Sequence, residues 1–369
     1  MRSDGILAFV QVGDLHLTGP DAKNVQDFRS ALAEIDAVTG IDFAFLPGDN
    51  ADDGRPDQYA LLRAALDGLR LPVHVISGDH DMESGGLDAF YAGLGVPQLP
   101  YAAVVSGNRC LFLDICGPGT GGLDFRLGTG QIAWLEGEMR AAEEAGQDCA
   151  LFMHSYPADL TGAGEAARVA NLVHGGPVRL VAIGHTHYNE LANDGRTVYA
   201  ATRSTGQIEE GPVGYAVAAI DRGSVAWRFK ELGRPWPFVL ITAPVDRRLA
   251  HADARPVAGP TEIRALVLGP GPLACACSID GGPWHPMHRA EGERCHRAVL
   301  DWPPGARRLS VRARSGEGLL DVDAVEPFCD PAGQVRARGI GSDADAVGAW
   351  PEKGVLGTQL GPNRNGRQW

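Results

Sequence analysis

Between residues 6 and 187, five apolar runs each end in aspartate or histidine, and no other feature of the chain limits its fold as tightly. ILAFVQVG (6–13) leads to Asp14-Leu15-His16, FAFLPG (43–48) to Asp49-Asn50, and VHVISG (73–78) to Asp79-His80-Asp81. CALFM (149–153) leads to His154, and RLVAIG (179–184) to His185-Thr186-His187. Short continuous apolar runs of this kind fit strands buried on both faces. A further run, CLFLDI (110–115), lacks such an ending. Among the runs lie segments with helical spacing, 24–39, 58–69 and 130–145, the last with Ile132, Leu135 and Met139 on one face. Buried strands separated by helices predict a layered α/β fold. In such sheets ligands bind beyond the carboxyl ends of the strands. Five distant stretches can therefore deliver acids and imidazoles to one spot.

The texture changes along the chain. TVYAAT, YAVAAID and SVAWRFKEL (197–232) have no helix between them and read as antiparallel strands closing a first domain, 1–232. GRPWPF (233–238) reads as a linker. Beyond it FVLITAP, EIRALVLG, ACACSID, HRAVLDW, RRLSVRA and LLDVDAV alternate with turns such as GPGP and DGGPW, which predicts a small all-β sandwich of the Ig/fibronectin kind over 238–328. Residues 329–369 are rich in Gly, Pro and polar residues and read as an extended arm or tail, with Arg364, Asn365 and Arg367 near its end.

Composition excludes several classes. Apolar residues make up 44% and charged residues 21%, ordinary values for a globular protein. No run approaches the roughly 18 apolar residues of a membrane span. The opening MRSDGILAFVQVGDLH has no small-residue cleavage site. The seven cysteines are odd in number and scattered, so no disulfide framework is expected. These features lead to the expectation of a cytoplasmic protein. Residues 1–235 hold 17 basic and 31 acidic residues, and 236–369 hold 16 and 15. So acidic a first domain argues against a nucleic-acid platform, which normally shows a basic face.

Imidazole mixed with carboxylate suits borderline divalent ions such as Mn, Fe or Zn. Asp14, His16, Asp49, Asp79, His154, His185 and His187 are too many for one tetrahedral ion. Divided between two ions roughly 3.5–4 Å apart, with one carboxylate shared, they fit a dinuclear centre. A lone Asp-x-His arises by chance and Gly-Asp at a strand end is usually a turn. Gly-His-Thr-His is a stronger signal, because alternate residues of an extended segment point the same way.

In their order along the chain these motifs resemble the calcineurin-like metallophosphoesterase superfamily, whose pattern is D-x-H, G-D, G-N-H-[DE], H and G-H-x-H. Here it stands as Asp14-Leu15-His16, Gly48-Asp49, Gly78-Asp79-His80-Asp81, His154 and Gly184-His185-Thr186-His187, within residues 1 to 232. The segment GTGQIAWLEGEM before His154 looks like the cyclic-nucleotide phosphodiesterase branch, class III. The resemblance implies a four-layer αββα sandwich. It implies that Asp14, His16 and His187 bind one metal, that Asp79, His154 and His185 bind the other, and that Asp49 bridges both. His80 is then an unmetallated residue near the leaving-group oxygen, and Asp81 orients it. The implied reaction is attack of a metal-bridging hydroxide on a phosphate ester, most simply a small soluble phosphodiester of cyclic-nucleotide or glycerophosphodiester type. A phosphomonoesterase or nuclease uses the same ligands, and a non-catalytic scaffold would have lost some of them.

One position departs from the family: Asp79 stands where it has Asn. An anionic ligand should hold the second ion more tightly and offset part of its pull on water. Arg203 is a candidate contact for a phosphate or carboxylate, and Tyr156 a candidate pocket residue; a salt bridge and core packing are the plainer alternatives. Cys275, Cys277, His285, His288, Cys295 and His296 invite a zinc site, but Cys-x-Cys within a strand-like run is a poor match to a zinc knuckle. The β-sandwich and the arm are the segments through which copies would associate.

Overall fold

A computed structural model describes residues 5–117, 124–329 and 339–357. In chain order the elements are β1 (Leu7–Gln11), α1 (Lys23–Asp36), β2 (Phe43–Leu46), α2 (Pro56–Leu66), β3 (Val73–Val75), α3 (Asp88–Leu94), β4 (Tyr101–Val105), β5 (Asn108–Phe112), α4 (Gly128–Glu144), β6 (Cys149–Phe152), α5 (Glu165–Gly175) and β7 (Val178–Ile183). Then come β8 (Glu190–Asn193), β9 (Val198–Ala201), β10 (Gly214–Asp221) and β11 (Ser224–Glu231). The remaining strands are β12 (Phe238–Ala243), β13 (Gly259–Leu268), β14 (Leu273–Ile279), β15 (His285–Met287), β16 (Cys295–Trp302), β17 (Leu309–Ser315) and β18 (Leu320–Val325).

Two mixed sheets lie at the centre, ordered β11-β10-β1-β2-β3 and β4-β5-β6-β7-β9-β8. Side chains alternate across each strand, and β1 shows the result. Leu7 and Phe9 enter the apolar layer between the sheets, while Ala8 and Val10 face a second layer beneath α1, α2 and α3. The second sheet is built likewise: Phe152 faces inward and Leu151 packs with Ile132, Leu135 and Met139 of α4 and Val169 and Val173 of α5. The inter-sheet layer is aromatic. Phe9 stacks on Phe43 at 5.2 Å and Phe112 on Phe152 at 4.6 Å. Such pairs add about 0.5–1.5 kcal/mol each beyond their buried area. The result is helices, sheet, sheet, helices. In it β1, β2 and β3 run parallel in one sheet, and β5, β6, β7 and β9 in the other.

The strands expected to close this unit do so differently. β10 pairs antiparallel with β1 and β11, but β9 lies parallel to β7, with the short β8 antiparallel on its other side. The reason is a hairpin at Asn193–Val198, which sequence spacing alone hid.

Past Pro237 the chain forms two further sheets, β12-β13-β16 and β15-β14-β17-β18, around Val239, Ile241, Ile263, Leu309 and Val311. The segment 233–238 is no loose tether. Phe238, Leu240, Leu266, Leu268 and Cys295 belong to the same apolar layer as Phe28 and Ile35 of α1. Buried ion pairs cross the same boundary: Arg264 Nε to Asp221 Oδ2 at 2.8 Å, and Arg228 to both oxygens of Asp321 at 2.5 and 2.9 Å. Cys275 and Cys277 belong to this apolar cluster, whereas Cys295 faces the α1 layer, so the cysteines considered for zinc are not gathered. Among the described residues no His/Cys/acid cluster of metal-binding geometry lies there.

Residues 339–357 return to the first unit. Val347 N donates to Leu191 O at 2.9 Å, and Ala346 bridges Ala192, so the segment covers the outer edge of β8. Trp350 and Val355 are buried in the inter-sheet layer. Arg364, Asn365 and Arg367 lie outside the described residues.

Candidate metal centre

The seven residues singled out at the strand ends converge. Asp14 and His16 follow β1, Asp49 follows β2, Asp79 follows β3, His154 follows β6, and His185 and His187 follow β7. Their ligand atoms fall into two sets, each within 4.8 Å: Asp14, His16, Asp49 and His187, and Asp49, Asp79, His154 and His185. Asp49 is common to both. The approach is close: His16 Nε2 lies 3.1 Å from His187 Nε2, His154 Nε2 lies 3.0 Å from Asp79 Oδ1, and His185 Nδ1 lies 3.2 Å from the same oxygen.

Local backbone makes this convergence possible. His16, Asp49, His185 and His187 all take the left-handed conformation, with φ of 43°, 49°, 63° and 62°. Non-glycine residues are rarely found there, and each costs on the order of 1 kcal/mol or more. For His185 and His187 this replaces the extended geometry expected of Gly-His-Thr-His. The chain twists between them, and they serve different sets. Glycine clears the space: a methyl at Gly78 would strike Asp49 Oδ1, and one at Gly184 would strike Asp14 Oδ1.

The electrostatics favour positive charge among these ligands. His154 Nδ1 donates to the Pro47 carbonyl at 2.7 Å. A carbonyl only accepts, so that nitrogen carries the proton and Nε2 of neutral imidazole presents a lone pair. That lone pair faces Asp79 Oδ1 at 3.0 Å and Asp49 Oδ1 at 3.5 Å. Only a proton or a cation between them makes the arrangement favourable. Burial alone would lower the His154 pKa, yet Asp49 and Asp79 hold it well above the usual histidine value. Burial would raise the pKa of Asp79, but His154 and His185 hold its carboxyl far below the carboxylate range. Burial pushes Asp14 up to about 6, and its Oδ1 is a buried oxygen with no hydrogen-bond partner. Burial, then the charge of His16, takes His187 down to about 3. A buried cluster of imidazoles and carboxylates, with one carboxylate oxygen unsatisfied, fits a pair of borderline divalent cations.

A match to the calcineurin-like phosphoesterase family model covers residues 7–189, which hold every one of these ligands. Residues 7–189 of this chain belong to the calcineurin-like phosphoesterase family. The family is one of phosphoric ester hydrolases. A glycerophosphodiester phosphodiesterase of Enterobacter lignolyticus is 30% identical over 126 residues, which span 32% of this chain and less than half, 43%, of that protein. A probable cyclic nucleotide phosphodiesterase of Fibrobacter succinogenes is 24% identical over 257 residues, 62% of this chain and 90% of its own. A dimetal phosphatase from Danio rerio shares the fold with a TM-score of 0.51 at 14% identity, over 61% of this chain and 96% of that one.

The residues around the ligands differ from expectation in three places. Asp81 does not orient His80. Its carboxylate accepts from Gly78 N at 2.9 Å, Asn50 N at 3.3 Å, Asn50 Nδ2 at 2.9 Å, Ala51 N at 3.2 Å and the Tyr59 hydroxyl at 2.9 Å. The turn His80–Met82 is a 3₁₀ helix, in which successive side chains diverge by about 120°, so Asp81 points inward as His80 points out. His80 Nδ1 donates instead to the Asp52 carbonyl at 2.7 Å, with Glu83 at 3.2 Å. Arg203 is 2% exposed, and its guanidinium donates to the carbonyls of Pro212 and Gly354 and lies 4.3 Å over Phe229. That is a structural tie, not a substrate contact. Tyr156 is fully buried beside Tyr199, as a packing residue would be. The sequence reading passed over Asn50, Tyr59 and Gln207. The signal for Asn50 was its adjacency to Asp49; Tyr59 and Gln207 gave none that spacing could reveal.

Proposed function

We propose that this chain hydrolyses a phosphodiester of a small soluble substrate, of the cyclic-nucleotide or glycerophosphodiester kind, with two divalent cations at this site. The observation that carries the reading is the division of seven buried ligands into two sets that share Asp49. Asp14, His16 and His187 hold one ion, and Asp79, His154 and His185 the other. When bound, such a pair supplies an activated water and positive charge against the phosphoryl oxygens.

The protein's own groups do the rest. His80 protonates the departing oxygen. It is 26% exposed, whereas the side chains of His16, His154, His185 and His187 are sealed at 8% or less. With Nδ1–H fixed on the Asp52 carbonyl, its Nε2 is the nitrogen that can carry the transferable proton. Burial would lower its pKa, but Asp49 and Asp79 raise it, which favours the acid form. Asp81 fixes the loop that carries Asp49. The names of the Enterobacter and Fibrobacter relatives support a diester substrate. The acidic balance of residues 1–235 speaks against a nuclease. All seven cysteines are free thiols, which fits a cytoplasmic setting.

The test is a Mn²⁺-reconstituted assay comparing bis(p-nitrophenyl) phosphate with p-nitrophenyl phosphate, then a panel of cyclic nucleotides and glycerophosphodiesters. The expected result is preference for the diester. Preference for the monoester would overturn the diesterase assignment and leave the metal centre standing.

A further inference from the structure

We infer that residues 339–357 are an integral part of the Asp14–His16–His187 half of the centre, with Asn189 and Arg203 as positioning residues linking the two. This rests on the reading of that half as a cation site.

The link is a continuous set of hydrogen bonds. The Gly354 carbonyl accepts from Asn189 Nδ2 at 2.9 Å and from Arg203 Nη2 at 2.7 Å. Asn189 follows the ligand His187 by two residues, and its Oδ1 accepts from Arg203 N at 2.8 Å. Arg203 opens a segment that wraps the first half. Ser204 N donates to His187 O at 3.3 Å, and Ser204 Oγ, Thr205 N and Gly206 N all donate to Asp14 O, at 2.8, 3.0 and 3.1 Å. The Gln207 amide lies 3.2 Å from His16 Nδ1. Segment 203–207 therefore touches Asp14, His16 and His187, and its first residue is anchored on Gly354. The second half is supported elsewhere: His154 hangs from Pro47, and Asp79 begins the turn that Asp81 fixes.

Gly354 is held in place from two sides. Its φ is +90°, and a Cβ there would stand 2.7 Å from Phe229 Cβ. Next to it Lys353 is buried, with Nζ on both oxygens of Asp323 of β18 at 2.6 and 2.7 Å. The strand that closes the β-sandwich thus fixes the residue that anchors the metal loop.

The test uses the full chain and two variants, Gly354→Ala and Arg203→Lys. The first forces the arm off Phe229. The second keeps the charge but loses the planar fork that reaches two carbonyls. Gly348→Ala is the control, because its φ is also positive, +77°, and nothing lies within 4 Å of the added Cβ. Mn²⁺ binding is followed by calorimetry, together with hydrogen exchange of the metal-free protein at 203–207. The expected result for both variants is one of two ions bound at least tenfold more weakly, the other unchanged, with faster exchange at 203–207 and no loss of cooperative unfolding. Gly348→Ala should bind both ions as wild type does. Two ions held with wild-type affinity in Arg203→Lys, or both ions weakened equally, would overturn the arm's role. Wild-type protein that binds no Mn²⁺ would overturn the cation reading itself.

Discussion

Asp79 offers the sharpest question at the scale of single residues. It brings a carboxylate where the family has an amide, and His154 and His185 keep that carboxylate ionised. The added negative charge should hold the second cation more firmly and oppose the ionisation of water beside it. The ascending limb of the pH–rate profile is therefore expected at higher pH for wild type than for Asp79→Asn, and the variant should give up its second Mn²⁺ to a chelator sooner. Superimposable profiles would remove this account. His80→Ala separates binding from chemistry. His80 belongs to neither of the two sets that share Asp49, so in this reading two ions should remain by elemental analysis. Turnover should fall by about 10²–10⁴, the usual contribution of a positioned proton donor.

At the scale of elements, the junction of β2 and β3 depends on Asp81, a residue that binds no metal in this reading. Five donors meet its carboxylate, from the loops after both strands and from Tyr59 of α2. Asp81→Ala leaves the backbone N–H groups of Gly78, Asn50 and Ala51 without their acceptor in a dry interior. Each such loss costs roughly 1–3 kcal/mol, so urea denaturation should show destabilisation of at least about 3 kcal/mol. Asp49 should drift with its loop, lowering affinity for both ions together. The same turn shows what sequence could tell. Strand ends that carry ligands were legible, because apolar runs and the residues after them are local signals, and β1, β2, β3, β6 and β7 lie where those runs predict. Asp81 could be seen in the motif but not its direction, which depends on the turn geometry of residues 80–82. The short helices α3 and α5 and the strands β4 and β8 went unread. β8 is only four residues long, too short to show a period, and in α3 Asp88-Ala89-Phe90 follows glycines at 85 and 86 that suggest a loop.

At the scale of the whole molecule, the two halves are joined by buried charge as well as by apolar contact. Arg264 is 2% exposed and meets Asp221, itself 3% exposed, across the boundary between β13 and β10. Removing one member leaves the other charged and dry, which typically costs 3–5 kcal/mol. Arg264→Ala should lower the unfolding free energy by about that amount, and unfolding should remain a single transition, because the α1 layer is shared by both parts. Two transitions would mean that the strands beyond Pro237 melt independently. This union is not legible in GRPWPF, whose prolines suggest a spacer; the pairing of distant arginines and aspartates and the shared apolar layer reveal it.

The cover over β8 has a consequence for synthesis. A chain emerging from the ribosome completes the second central sheet when β9 appears, yet the outer edge of β8 stays bare until Ala346 and Val347 arrive about 150 residues later. At typical translation rates of about 5–20 residues per second that interval is roughly 7 to 30 seconds. Throughout it, an open row of amides and carbonyls is available to any neighbouring nascent chain, so crowding on a polysome is the condition under which this protein is most exposed to mispairing.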